Sequence, residues 1–153
     1  MDRKELVQTA LLLKKASDEA IKELIDSEDR IASLVNENML SRDDINDLIG
    51  GEKNIQMMKD NHNNHLRFII SILRTPNPDV LTDTIRWVFR SYKSRGFHSN
   101  YWAAQISTWI AIFKQQLTPK AFSEIYPLYE WLSVNIPSFS DLSDNEIKLY
   151  SDH

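Results

Sequence analysis

The sequence predicts an all-α fold, a globin-like helical bundle of about six helices with extra N-terminal helices, and three observations carry the all-α part. Only 3 glycines and 5 prolines interrupt 153 residues, too few for the many turns of a sandwich or barrel. Apolar residues recur at three- and four-residue steps, and no stretch alternates as a strand would. At 42% apolar, a chain of this length can bury a core without cross-links.

The elements follow in order. A first helix is expected over residues 4–25, and a second over 28–39 with Ser27 as its cap. Ser41-Arg-Asp-Asp44 resembles a capping box and opens a short turn of helix that stops at Gly50-Gly51. No other Gly-Gly pair occurs, so this is the candidate hinge or corner. A third long helix, 52–74, ends before Pro76 and Pro78. Asn77 then caps a fourth, with Pro78 at the first helical position, where its missing N–H costs nothing. That helix reaches about Arg95 and is closed by Gly96. The fifth starts after Ser99 and reaches Leu117. Thr118-Pro119 repeats the cap-plus-proline start and opens a sixth, bent at Pro127 and ending near Asn135. Ser143-Asp-Asn-Glu146 begins a last short turn. The organisation is one domain over 1–153, with N-terminal helices in 1–50, core helices in 52–139 and a tail in 140–153.

The faces say more than the boundaries. On the third long helix Ile55, Met58, His62, His65 or Leu66, Ile69 and Leu73 share one stripe, so both histidines lie on or beside the apolar face. On the fourth, Leu81, Ile85, Val88 and Tyr92 form the inner stripe with Phe89 at its border, while Arg86, Arg90 and Lys93 make a separate basic stripe. The fifth is apolar almost all round, which places it centrally. Stripes such as Leu6, Ala10, Leu13 and Ile21, Leu24 suit either dimerisation, docking to a partner, or plain cover for the core.

Composition removes several function classes. Without cysteine there is no disulfide scaffold, thiol nucleophile or thiolate zinc site. Leu11-Leu-Leu13 is too short for a signal peptide, and the longest apolar region, 101–113, is too short to cross a bilayer, so a cytoplasmic address is expected. The net charge of −4 is uneven: 9 Lys+Arg against 14 Asp+Glu in 1–60, 7 against 2 in 61–117, and 2 against 6 in 118–153. The basic centre either attracts an acidic partner or balances the acidic ends internally. Nucleic-acid binding is not expected, because the total is acidic and no reading element is present. No G-x-S-x-G, H-E-x-x-H, P-loop or dinucleotide fingerprint occurs, so the chain is not expected to be an enzyme.

Three groups remain as candidates. His62 and His65, three apart, share a face and are open to three readings: a metal pair, imidazoles bonded at the core's edge, or the lining of a ligand pocket. A metal-dependent enzyme using them needs further ligands, and His98 and His153 are the remaining histidines. Arg86 and Arg90 flank Trp87, as a solvated basic face or as a clamp for a carboxylate. Trp87, Trp102, Trp109 and Trp131, with Tyr92, Tyr101, Tyr126 and Tyr129, make large aromatic walls, as core or as cavity lining.

The stretch Trp87-Val-Phe-Arg-Ser-Tyr-Lys-Ser-Arg-Gly-Phe-His-Ser-Asn-Tyr-Trp102 joins an amphipathic helix, an Arg-Gly turn and an aromatic start to a long apolar helix. In this it resembles the non-heme globin domains of bacterial stressosome sensor proteins and the stand-alone sensor domains of sporulation control, over residues 52–136. The resemblance implies a sensory domain in signal transduction, with a heme-free pocket for a small apolar ligand such as a fatty acid. It implies Ile69, Val88, Trp102, Ile106 and Trp109 as apolar lining, and His62, His65, Arg90 or Tyr92 as partners of an acidic headgroup. It also implies a signalling protein partner, and the N-terminal stripes make a homodimer the expected assembly. Heme globins place a proximal histidine on the helix that here spans 78–95; this helix has none, and His98 just beyond it keeps a heme-binding alternative open.

Overall fold

The computed structural model describes residues 1–151, with side-chain surroundings through residue 147. Among them are seven α-helices and no strand: α1 (Arg3–Ala10), α2 (Asp18–Leu40), α3 (Ile45–Ile49), α4 (Ile55–Arg74), α5 (Pro78–Ser94), α6 (Asn100–Gln116) and α7 (Pro119–Ser151), with a 3-10 turn at Glu52–Asn54 before α4. No helix among the described residues is long and apolar enough to cross a membrane.

The middle of the chain follows its local signals. Asn77 accepts from the Val80 N–H and sets Pro78 at the start of α5. Gly50 ends α3 at φ +81°, and a Cβ there would meet the Gly96 carbonyl oxygen at 2.7 Å. The amide of Asn54 donates to the carbonyls of Ile49 (2.7 Å) and Arg95 (3.1 Å). His98 N–H donates to Leu48 O at 2.8 Å. The Gly50-Gly51 pair is therefore a fixed corner, pinning the turn between α5 and α6 against α3.

Both ends depart from expectation. The helix expected over 4–25 is broken by an irregular crossing between α1 and α2, and Ser27 lies inside α2 rather than capping a helix. Ser17 is the true cap: its Oγ accepts from Ala20 N–H, while its own N–H and Oγ–H donate to the Glu124 carboxylate, each at 2.9 Å. Ala16 N–H donates to Leu73 O at 2.9 Å. These long-range bonds outcompete a local helical preference worth only tenths of a kcal/mol per residue. The tail expected over 140–153 is no tail through Ser151, because α7 runs on through Pro127 and Pro137. Each proline removes one backbone bond, and packing of Phe139, Leu142 and Ser143 holds the rest of the helix in place.

α2 backs α4 and α6, while α7 lies along α5 and α6. Tyr101, Trp109, Phe113 and Tyr129 are fully buried. Each removes roughly 150–250 Å² from water, an upper bound of about 4–6 kcal/mol at 25 cal/mol/Å². α6 is not enclosed on every side: Ala103, Ser107, Ala111 and Lys114 form a solvent-facing strip, since alanines impose little need for burial. Leu6, Ala10, Ile21 and Leu24 are buried within the one chain, so they serve as core cover and not as a free face.

Candidate functional site

A cavity of about 210 Å³ lies where side chains of α4, α5, α6 and α7 meet. His65, Val88, Tyr92, Trp102 and Ile106, five of the nine predicted site residues, line it. Phe89 stacks on Trp102 with ring centroids 4.4 Å apart, and Tyr92 meets the same indole edge-on at 5.8 Å. Ile136 and Phe139 close the cavity from α7, and Asn61 and Gln105 supply polar groups at the α4–α6 side.

The other four predicted residues lie elsewhere. Ile69 and Trp109 are buried in the core behind the cavity. Arg90 turns outward and, with Arg86, pairs with Glu146 of α7; the Arg90 bond is 2.6 Å. Lys93 pairs with Asp144. The basic stripe of α5 therefore seats the acidic end of α7 and is not a solvated face. His62 is wholly buried behind the cavity: Nδ1 lies 2.6 Å from Asn36 Oδ1, and Nε2 lies 3.2 Å from the Tyr101 hydroxyl. His65 stacks on Trp109 at 4.9 Å and shares a 2.8 Å hydrogen bond from Nε2 to the Tyr129 hydroxyl.

Burial pushes the His62 imidazole down to about 4. Burial, and then the neighbouring His62, push His65 down to about 3. Both rings are neutral at pH 7, and no charged residue lines the cavity. An ionised carboxylate finds no countercharge there. Nor do the rings form a metal centre with other ligands: no group of three or more His, Cys, Asp or Glu placed to hold an ion exists among the described residues. His98 is exposed in the turn after α5, with Nδ1 accepting from Asn100 N–H at 3.0 Å, and lines no part of this cavity; His153 lies outside the described residues.

A larger groove of about 380 Å³ opens between the 11–17 crossing, the start of α5 and Pro127 of α7. None of the nine predicted residues reaches it.

The sequence reading missed Asn61, Gln105, Tyr101 and Asn36 as one group, and Phe89, Ile136 and Phe139 as lining. A signal existed for Gln105: it sits four residues after Tyr101 and four before Trp109, a polar residue on the most apolar face of the chain. No protein-family profile matches the chain, and no curated protein or solved structure matches it.

Proposed function

We propose that this chain is a non-catalytic sensory or regulatory domain of globin-like arrangement that holds a small apolar ligand between α4, α5, α6 and α7. The observation that carries the reading is the cavity itself, mostly aromatic and aliphatic, with a few convergent polar groups. Its α5–α7 wall is joined by ion pairs, and its α4–α6 wall by buried hydrogen bonds. A ligand that favours one arrangement of the first wall shifts the population of that arrangement, which a partner protein reads. The neutral, already bonded histidines support a binding role over general-base chemistry.

Native mass spectrometry of protein from its own host tests this. A retained non-covalent compound, lost when Val88→Phe fills the cavity, is the expected result. An empty protein whose stability no small apolar compound changes contradicts it. A Soret band on adding hemin, abolished by His98→Ala, or stoichiometric metal lost in His62→Ala, contradicts it in favour of the heme or metal reading.

A further inference from the structure

The polar end of the cavity is a connected chain of hydrogen bonds. Asn36 Oδ1 can only accept, so the proton of neutral His62 sits on Nδ1, and Nε2 offers a lone pair to the Tyr101 O–H at 3.2 Å. Asn61 Oδ1 lies 3.1 Å from the same hydroxyl, but taking that proton would leave the buried Nε2 bare. Having one proton, Tyr101 then accepts at its oxygen from Gln105 Nε2, also at 3.2 Å. Gln105 Nε2 places its second proton on Asn61 Oδ1 at 2.6 Å. Reversing one amide sets like poles face to face at that 2.6 Å contact, and reversing both sets Gln105 Oε1 against the Tyr101 oxygen. A second arrangement, with all three amides reversed and the other His62 tautomer, satisfies the same contacts and exchanges the spare donor and acceptor between Asn61 and Gln105; the first has Asn36 Oδ1 on His62 Nδ1.

That orientation leaves Asn61 Nδ2 and Gln105 Oε1 pointing away from the chain of bonds. Gln105 Oε1 has no hydrogen-bond partner among the described residues and the Asn61 amide reaches only toward the Tyr92 phenol, although Asn61 is 5% exposed and Gln105 only 1%. Tyr92 borders the Asn61 side: burial raises its phenol, and the Asn61 amide partly offsets the rise. Both amides line the cavity. Polar atoms this deep are normally partnered. These two amides thus present one donor and one acceptor, held close together by the 2.6 Å bond between them, to a cavity that Asn64, Thr84 and Tyr92 also line.

We infer that the ligand is a compact neutral molecule carrying an adjacent acceptor and donor, the edge of a lactam or secondary amide, on a flat apolar body that packs against Trp102 and Phe89. This rests on the cavity being a ligand site. A carboxylate brings two acceptors and a charge, and so repels Gln105 Oε1 without a cation to compensate. The inference sets a neutral amide-edged ring in place of the fatty-acid anion implied by resemblance.

The test is a two-dimensional ¹H–¹⁵N NMR titration of the whole chain with four probes of similar size: 2-pyridone, N-methyl-2-pyridone, toluene and benzoate. 2-Pyridone is expected to shift the side-chain amide signals of Asn61 and Gln105 and the Trp102 indole signal. N-methyl-2-pyridone, which lacks the donor, and toluene, which lacks both groups, are expected to bind at least about tenfold more weakly, because a buried acceptor is left bare. Toluene or N-methyl-2-pyridone binding as tightly as 2-pyridone overturns the amide inference while leaving the apolar cavity standing. Benzoate binding most tightly overturns it in favour of an anion. No binding by any probe overturns both this inference and the ligand-site reading.

Discussion

Between α4 and α6 the polar side chains of Asn61, His62, Tyr101 and Gln105 enter the core, joined by Asn36 from α2, and bond one another in a continuous chain. Between α5 and α7 polar groups are also drawn inward, but on other terms. Arg86 and Arg90 share Glu146, yet Thr82 Oγ1, Ser143 Oγ and Arg86 Nε are sealed from solvent with no partner among the described residues, as is Trp109 Nε1 on the α4–α6 side. Each such atom costs about 1–3 kcal/mol relative to a bonded one. The contrast lies in how each side holds its polar groups: the α4–α6 floor through hydrogen bonds inside the core, and the closely packed α5 and α7 through ion pairs at the core's edge.

Acid breaks the floor first and most strongly. Unfolded histidines titrate near 6.5, whereas His62 and His65 are held down to about 4 and about 3. Between those values the unfolded chain binds more protons than the folded one, so stability falls as pH falls and is fully present above about 6.5. Urea unfolding at steps from pH 7.5 to 4 checks this. A loss is expected to begin below about 6.5, well above the carboxylate range, and to approach roughly 3 kcal/mol from His62 alone near pH 4.

Tyr101→Phe sharpens the comparison at a single atom. It removes the hydroxyl that bonds both His62 Nε2 and Gln105 inside a fully buried cluster. A loss of about 1–3 kcal/mol is expected in chemical denaturation at pH 7.5. Glu146→Gln, by contrast, weakens partly exposed ion pairs and is expected to cost under about 1 kcal/mol. Its effect should shrink in about 1 M salt, where screening is nearly complete, while the Tyr101→Phe effect should not.

The two walls also differ in how legible they were. α4, α5 and α6 begin and end at caps, prolines and glycines that act locally, so their limits could be read directly. The Asn61-His62-Asn-Asn-His65 segment stood out, and His65, Val88, Tyr92, Trp102 and Ile106 do converge on one cavity. What could not be read depends on distant partners. The break before α2 is set by Glu124 and Leu73, and nothing within 11–17 forbids helix. Arg90 looked like a headgroup ligand because its partner, Glu146, lies on a part of α7 that two prolines made look like a tail. The bonding of His62 depended on Asn36, from a helix whose limits were themselves misplaced.

Hydrogen–deuterium exchange with and without a saturating cavity ligand, 2-pyridone or the compound recovered from the native protein, tests the central claim most directly. Occupancy is expected to slow exchange across residues 78–94 and 136–147, on the ion-paired α5–α7 side, and to leave residues 58–66 of α4 unchanged. Equal slowing throughout the chain, or slowing confined to α4, would contradict a cavity whose filling repositions α5 and α7 against the α4–α6 floor.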